Sequence, residues 1–315
     1  MFAYGSAITD SRVYEAFAQR GIELVAEPDS EILARGSAGS LFTTYNLILD
    51  EAAELENLEC LVLLHQDAEI VDSNLPTVVR ETLQDPDVAL VGCGGAVGVQ
   101  NISWWEGSVT WANFTTKFDE MGGGEIPGLS WNPEETPSYA HTGEVDSIDG
   151  FVIAMSPWAV KNLRFDESLG SALHGYDLDL CLQARSAGKK VMTADFRVIH
   201  HHSPDLIGDI DGWVAAHIQI AEKWDGTLRD GSGDDWKRRA RRAEAEAAVG
   251  RLQLRVAQHF VNVRTAELDV VKESKSWKLT APLRAFTRFL RRLRHPRRKR
   301  VQEPDSDMRR SWLIR

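Results

Sequence analysis

The 315-residue sequence has only three cysteines, Cys60, Cys93 and Cys181. Their spacing forms neither a CxxC redox pair nor the His/Cys pairs of a zinc site, which argues against disulfide scaffolds, thiol oxidoreductases and zinc hydrolases. Cys60 and Cys93 adjoin apolar runs and read as buried, reduced thiols, which fits a reducing cytosol. No run approaches the roughly 18–20 apolar residues that span a bilayer. The opening MFAYGSAITDSRVYEAF has no basic stretch followed by a long apolar one, so no signal peptide is expected. These absences point to a cytoplasmic protein.

Basic residues are also scarce, but only in the first 230 positions. There 13 Lys and Arg stand against 37 Asp and Glu, whereas residues 231–315 hold 23 against 10. An acidic body is a poor surface for nucleic acid, whose phosphates need clustered Lys and Arg. No nucleic acid partner is expected. The polarity split predicts an acidic globular domain over 1–230, a helical segment over 231–280 and a basic tail over 281–315. Apolar residues make up 43% of the chain, enough for a full core.

Apolar runs alternate with helical patterns, the mark of parallel strands with crossover helices. Strands are expected at Phe2–Ile8, Ile22–Ala26, Cys60–Leu64, Val88–Cys93, Ser147–Met155 and Val191–Ala194, with Phe196–His202 extended. Helices are expected at Asp10–Arg20, Leu41–Leu55, Leu75–Leu83, Ser156–Leu163 and Tyr176–Ala187, the last ended by Gly188. Residues 94–145 read as a long loop with Trp104, Trp105, Trp111 and Trp131, suited either to stacking on sugar faces or to packing. Residues 236–273 read as a long charged helix that could pair with itself, giving a homo-oligomer. Residues 281–300 set Leu283, Phe286, Phe289, Leu290 and Leu293 among eight Arg and one Lys. Such a basic amphipathic segment suits an anionic membrane surface, on the inner face of a cell membrane.

Three constellations carry chemistry. His65-Gln66-Asp67 follows directly on a buried strand, where open parallel sheets bind ligands, and a carboxylate there can hold a hard divalent cation that holds a diphosphate. Asp177 and Asp179 lie in the first turn of a helix. The helix dipole accounts for one of them, and the other is a candidate general base. His200-His201-His202 ends a strand. Adjacent strand residues point to opposite faces, so only part of this run can join Asp67 at a metal. Asp67, Asp149-Gly150, Asp177 and the histidines are distant in sequence, yet each falls at an element end.

The stretches SAGSLFTTYNLILDEA (37–52), LVLLHQDAEI (61–70), VDSIDGFVIAMSP (145–157), RFDESL (164–169), HGYDLDLCLQARSAGKKV (174–191) and HHHS (200–203) occur in one order. Together they resemble the family 2 glycosyltransferases of the GT-A fold, most closely the StrF-like bacterial branch of streptomycin biosynthesis. The resemblance covers about Phe2 to Ser203. It implies an α/β, Rossmann-like and mostly parallel sheet flanked by helices. It also implies an inverting enzyme that moves a sugar from a nucleoside-diphosphate sugar to a hydroxyl of a saccharide or glycolipid acceptor, with Mn²⁺ or Mg²⁺. Asp67 matches the last acid of the DxD motif, which would bind the metal. His65 stands where the first acid would be. Asp177 matches the catalytic base, and Tyr176 replaces the Glu before it. His201 or His202 matches the metal-binding histidine, with His201 favoured. Ala3, Tyr4, Gly5, Ser6 and Asn46 match nucleotide-contacting regions, and Asp149-Gly150 the stretch lining the donor sugar and acceptor. The segment Ser274–Arg284, SKSWKLTAPLR, resembles one that follows many bacterial surface-polysaccharide glycosyltransferases, which implies a cell-envelope pathway.

Two rival readings compete. A sugar nucleotidyltransferase would want a Gly-rich phosphate loop with Arg and Lys near the N-terminus, which Gly5-Ser6 followed by Asp10 and Arg12 does not supply. A non-catalytic GT-A-like scaffold would account for the missing acids at 65 and 176.

Overall fold

The run Cys60–Leu64 is apolar at every position, which suits a strand covered on both faces. It lies fully buried inside the largest sheet. The computed structural model describes residues 1–97, 99, 101–104, 109–112, 114–117, 125–127, 142–169, 173–201, 209–224, 235–284 and 286. Up to the first sheet residues of the middle region, the elements are β1 (Phe2–Ile8), α1 (Ser11–Ala16), α2 (Ala18–Val25), β2 (Glu31–Gly36), α3 (Leu41–Ala53), β3 (Cys60–Leu64), β4 (Ala68–Ile70), α4 (Leu75–Thr82), β5 (Val88–Gly92) and β6 (Gly94–Val97). They continue as β7 (Val109–Ala112), β8 (Phe114–Lys117), β9 (Glu125–Pro127), β10 (Glu144–Val145), β11 (Ser147–Ile148), β12 (Val152–Met155) and α5 (Pro157–Asn162). The last are α6 (Tyr176–Ser186), β13 (Lys190–Thr193), β14 (Val198–His200), α7 (Ile210–Trp224), α8 (Asp235–Glu273) and α9 (Lys275–Leu279).

Seven strands form the main sheet, in the order β10-β13-β5-β12-β3-β1-β2. β1 runs parallel to both β2 and β3, and β13 runs parallel to β5; β12 and β10 are antiparallel to their neighbours. Helix α3 packs on β1 and β2, and α5 on β3, β5 and β12. The mostly parallel α/β sheet flanked by helices is the class expected from the sequence. Two smaller sheets, β11-β6-β7 and β4-β14-β8-β9, stand beside it.

Local chemistry sets several boundaries. The Asp10 carboxylate caps α1 by accepting from Arg12 N, and the Ser40 hydroxyl caps α3 by accepting from Thr43 N. Gly188, at φ +75°, ends α6 in the left-handed conformation that glycine adopts without strain.

The sequence-based expectation fails at four places. Ile22–Ala26 is helical, not a strand: Ala18, Gly21, Ile22 and Val25 are buried at a helical spacing, and the second strand is the edge segment β2. Ser147–Met155 is not one strand but two, β11 and β12 in different sheets, with Asp149-Gly150 between them. The stretch 94–145 is not all loop, since it contributes β6 to β10. Within it Trp104 is buried, as a packing residue is. The side chains of Trp105, Trp111 and Trp131 lie outside the described residues. Finally α7, over Ile210–Trp224, was not expected.

The chain divides into two compact units, 1–254 and 255–315. In the second, Leu268, Val270, Val271, Leu279, Leu283 and Phe286 are exposed, and the Arg284 guanidinium lies 3.7 Å over the Trp277 ring. The basic segment 281–300 falls outside the described residues at 285 and 287–300. Among the described residues no helix is long and apolar enough to cross a membrane.

Candidate functional site

His65, Gln66 and Asp67 make the turn from β3 into β4, at the carboxyl end of a central strand. Strand β14 returns antiparallel to β4 with His200 opposite Ala68, and His201 N donates to the Asp67 carbonyl at 2.8 Å. This register brings two imidazoles to one carboxylate. His200 Nε2 lies 3.4 Å and His65 Nδ1 3.9 Å from Asp67 Oδ1. One donor atom from each of the three lies within 4.8 Å of the others, close enough to hold a single metal ion. All three side chains are half-buried, which leaves room for a further ligand.

His201 points the other way. Its Nε2 sits 2.8 Å from Glu69 Oε2, and its ring stacks on Phe17 at 3.8 Å between centroids. The sequence reading favoured His201 as the partner of Asp67, and the pleat of β14 corrects it. Successive side chains alternate between faces, and residue 200 has the face toward Asp67. His202 lies outside the described residues.

The break between β11 and β12 carries the opposite wall. Asp149 N donates to Gly94 O at 3.0 Å, and His65 N donates to Phe151 O at 2.9 Å, so the break is tied to the end of β3. The Phe151 ring stacks on His200 at 4.8 Å. Gly150 has no side chain where one would collide with Tyr176: a β-carbon there would stand 2.2 Å from its Oη. Helix α6 starts after Gly175 and buries Tyr176, whose Oη lies 2.6 Å from His65 Nε2.

Asp177 follows. Its Oδ2 accepts from Gly150 N at 3.2 Å and its Oδ1 from Leu178 N at 2.9 Å. Burial, and then the nearby charge of Asp149, push its pKa up to about 7 despite these two hydrogen bonds. A carboxyl that titrates near neutrality is suited to accept a proton. Asp179, two residues on, has another environment. Its side chain is 1% exposed and bonded by Lys223 Nζ at 2.7 Å, Gln183 Nε2 at 2.7 Å and Trp224 Nε1 at 2.9 Å. It holds α7 to α6, so the two acids of this turn have different surroundings.

The remaining expected residues divide. Ala3, Tyr4 and Gly5 are interior to β1 between two paired neighbours, and the Tyr4 hydroxyl donates to Val25 O at 3.3 Å. All three are buried in the sheet. Ser6, nearer the strand's carboxyl end, is also buried, and its hydroxyl has no partner among the described residues. Asn46 is used up elsewhere: its amide donates to Phe165 O and Glu167 Oε1 at 2.9 and 2.8 Å and accepts from Phe165 N at 2.9 Å. It clamps the 165–167 segment to α3. Gln66 has no role of its own in the sequence pattern. It accepts from Thr9 N and Asp10 N at 2.8 and 3.0 Å, pinning the end of β1 beside the end of β3. Tyr176 was read only as a replaced acid, and nothing in the sequence signalled its bond to His65.

Residues 6–207 match the family model described as a glycosyltransferase-like family. Over 203 residues the chain is 27% identical to the streptomycin biosynthesis protein StrF of Streptomyces griseus, covering 64% of this chain and 67% of that protein. Among solved structures it is similar to a mannosyltransferase, PcManGT of Pyrobaculum calidifontis, in complex with GDP-Man and Mn²⁺ (TM-score 0.43, 13% identity, 90% of this chain and 84% of that one). It is also similar to GalNAc-T7 with UDP, GalNAc and Mn²⁺ (TM-score 0.46, 9% identity, 78% of this chain and 54% of that one).

Proposed function

Since the chain belongs to the glycosyltransferase-like family over residues 6–207, we propose that it transfers a glycosyl group from a nucleoside-diphosphate sugar to a hydroxyl acceptor, with inversion. One observation carries this reading. A three-residue metal-capable group (His65, Asp67, His200) and a carboxyl that titrates near neutrality (Asp177) converge on the two sides of the β11–β12 break.

The residues divide the work. Asp67 and His200 would hold a divalent cation, Mn²⁺ or Mg²⁺, the carboxylate suiting either ion and the imidazole suiting the transition ion better. A cation held there would supply positive charge against the charge building on the departing nucleoside diphosphate. Ser6 and Gln66 shape the nucleotide side through the ends of β1 and β3. Asp149 and Gly150, in the break between β11 and β12 beside Asp177, line the donor sugar. Asp177 takes the proton of the acceptor hydroxyl as its oxygen attacks the anomeric carbon. With Asp177 acting as base on the acceptor and not as a nucleophile, displacement is direct and the anomeric centre inverts. The transition state has oxocarbenium character, as in glycoside hydrolysis.

The tail supports a cell-envelope setting. Ser274–Arg284 is of the kind that follows surface-polysaccharide transferases, and the Arg-rich 281–300 segment suits an anionic membrane surface. The acceptor is then a saccharide or glycolipid, and the enzyme is peripheral on the cytoplasmic face of the membrane. Self-pairing along 236–273 would make it a homo-oligomer.

The test is a thermal-shift screen of UDP-, GDP-, dTDP- and CDP-linked sugars with and without Mn²⁺, on the wild type and Asp67→Ala. Mn²⁺-dependent stabilisation by one nucleotide, lost in Asp67→Ala, supports the reading and names the donor class. No stabilisation by any of them would turn the chain into a non-catalytic scaffold.

A further inference from the structure

We propose that His65 is a metal ligand through Nδ1, held in place by Tyr176, and that this donor set selects a first-row transition ion over Mg²⁺. The inference rests on the glycosyl-transfer reading for the presence of a metal, and goes beyond it in naming the third ligand, its positioning residue and the ion class.

The geometry gives His65 two different edges. Its Nε2 lies 2.6 Å from Tyr176 Oη, while its Nδ1 faces Asp67 Oδ1 at 3.9 Å. A neutral imidazole carries one N–H and one lone pair. With the Nε2 proton donated to the phenol oxygen, the lone pair is on Nδ1, on the side of Asp67 and His200. Histidines that ligate metals commonly give their other N–H to such a partner, which fixes the tautomer and the ring angle. Tyr176 is built for this task. Its ring is buried and packed edge-on against Phe42 and Tyr45, with centroids 6.0 and 6.1 Å away. Its Oη occupies the space that Gly150 leaves open.

The ion class follows from donor chemistry. Mg²⁺ favours carboxylate, carbonyl and water oxygens, whereas imidazole nitrogen favours later first-row ions. Where the resemblance leads one to expect a carboxylate, residue 65 supplies a nitrogen. With His200 the set is two nitrogens and one oxygen. Such a set penalises Mg²⁺, and the preference for a first-row ion rises from Mn²⁺ to Co²⁺.

The experiment uses the untagged full chain, stripped of metal and titrated with Co²⁺, whose visible absorption reports nitrogen ligation. Mn²⁺ and Mg²⁺ compete, with and without UDP or GDP. Co²⁺ and Mn²⁺ are expected to outcompete Mg²⁺ by at least about tenfold. His65→Asp, which restores an acid, should move that ratio toward Mg²⁺ by about tenfold or more. Tyr176→Phe removes one oxygen and should weaken Co²⁺ binding by roughly 10–100-fold. The double variant should bind no more weakly than His65→Asp alone, an outcome that a merely structural role for Tyr176 would not produce. If His65→Asp does not fold, Tyr176→Phe carries the test.

Co²⁺ affinity and metal preference within about twofold of the wild type in both single variants would overturn the proposal. So would a wild type that binds Mg²⁺ as tightly as Co²⁺. Should a nucleoside diphosphate stabilise the protein while the variants leave metal binding unchanged, this inference fails and the glycosyl-transfer reading stands. The expected metal effects without any nucleotide binding would do the reverse.

Discussion

Gly150 and Tyr176 are fitted to one another: a β-carbon on residue 150 would stand 2.2 Å from the phenol oxygen that meets His65. Gly150→Ala must therefore displace a buried ring or the β11–β12 break. A stability loss of about 1–3 kcal/mol is expected, the usual cost of overpacking. Metal affinity should fall with it as His65 loses its partner. Thermal melts and a Co²⁺ titration check this, and an unchanged melt with unchanged affinity would contradict it.

Under the proposed mechanism, Asp177 sets the pH dependence. Burial and then Asp149 raise its pKa to about 7, and as a base it must be ionised. Turnover should fall as pH drops through about 7. Asp149→Asn removes a like charge, so the midpoint of that limb should move down by some tenths of a unit. The same titration affects stability. The folded pKa lies above the unfolded one, so this group's favourable contribution is full below about pH 4 and is lost as pH rises through about 7. A pH–rate limb centred near 4 would remove Asp177 from the role of base.

The two acids of the α6 first turn should separate cleanly by mutation. Asp177→Asn is expected to lower turnover by roughly 10²–10⁴-fold, the range of a general base. Asp179→Ala takes the carboxylate from Lys223, Gln183 and Trp224 and should cost about 3 kcal/mol of stability. At a temperature where that variant stays folded, its turnover should remain near wild type. Paired melts and assays would expose the assignment if the two effects were exchanged.

His200 and His201 offer a second contrast. His200→Ala should weaken metal binding by roughly 10-fold or more, since it removes a ligand. His201→Ala should leave metal binding within about twofold and lose the Glu69 bond and Phe17 stacking, worth about 1–2 kcal/mol. Isothermal titration with Mn²⁺ on both variants decides between them.

Asn46→Ala should act on stability alone. Three hydrogen bonds to residues 165–167 are lost, at a cost of about 1–3 kcal/mol. Nucleotide affinity, measured on the folded variant, should be unchanged.

Much of the frame was legible because local rules decide it. The unbroken apolar run at Cys60–Leu64, leading straight into the turn at His65-Gln66-Asp67, suits a strand buried on both faces, and a glycine at 188 suits the left-handed stop of a helix. Ile22–Ala26 misled because a short apolar run suits a strand or a helix face equally. Only the packing of Ala18, Gly21, Ile22 and Val25 toward the core settles it. The surroundings of Asn46 and Ala3–Gly5 were not legible, because proximity in a motif says nothing about where an amide or a buried strand residue finds its partners.

By itself, the sequence determined the mostly parallel α/β class, the acidic body and basic tail, and the element ends where Asp67, Asp177 and the histidine run fall, whereas the break at Asp149-Gly150 came from the structure. The tertiary structure alone decided which of these side chains meet. The register of β14 on β4 gives Asp67 to His200 and Glu69 to His201. The open space over Gly150 lets Tyr176 reach His65, 111 residues away. The reason is physical. Strand alternation fixes that neighbours face opposite ways, but which face meets the site depends on pairing with a strand far off in sequence.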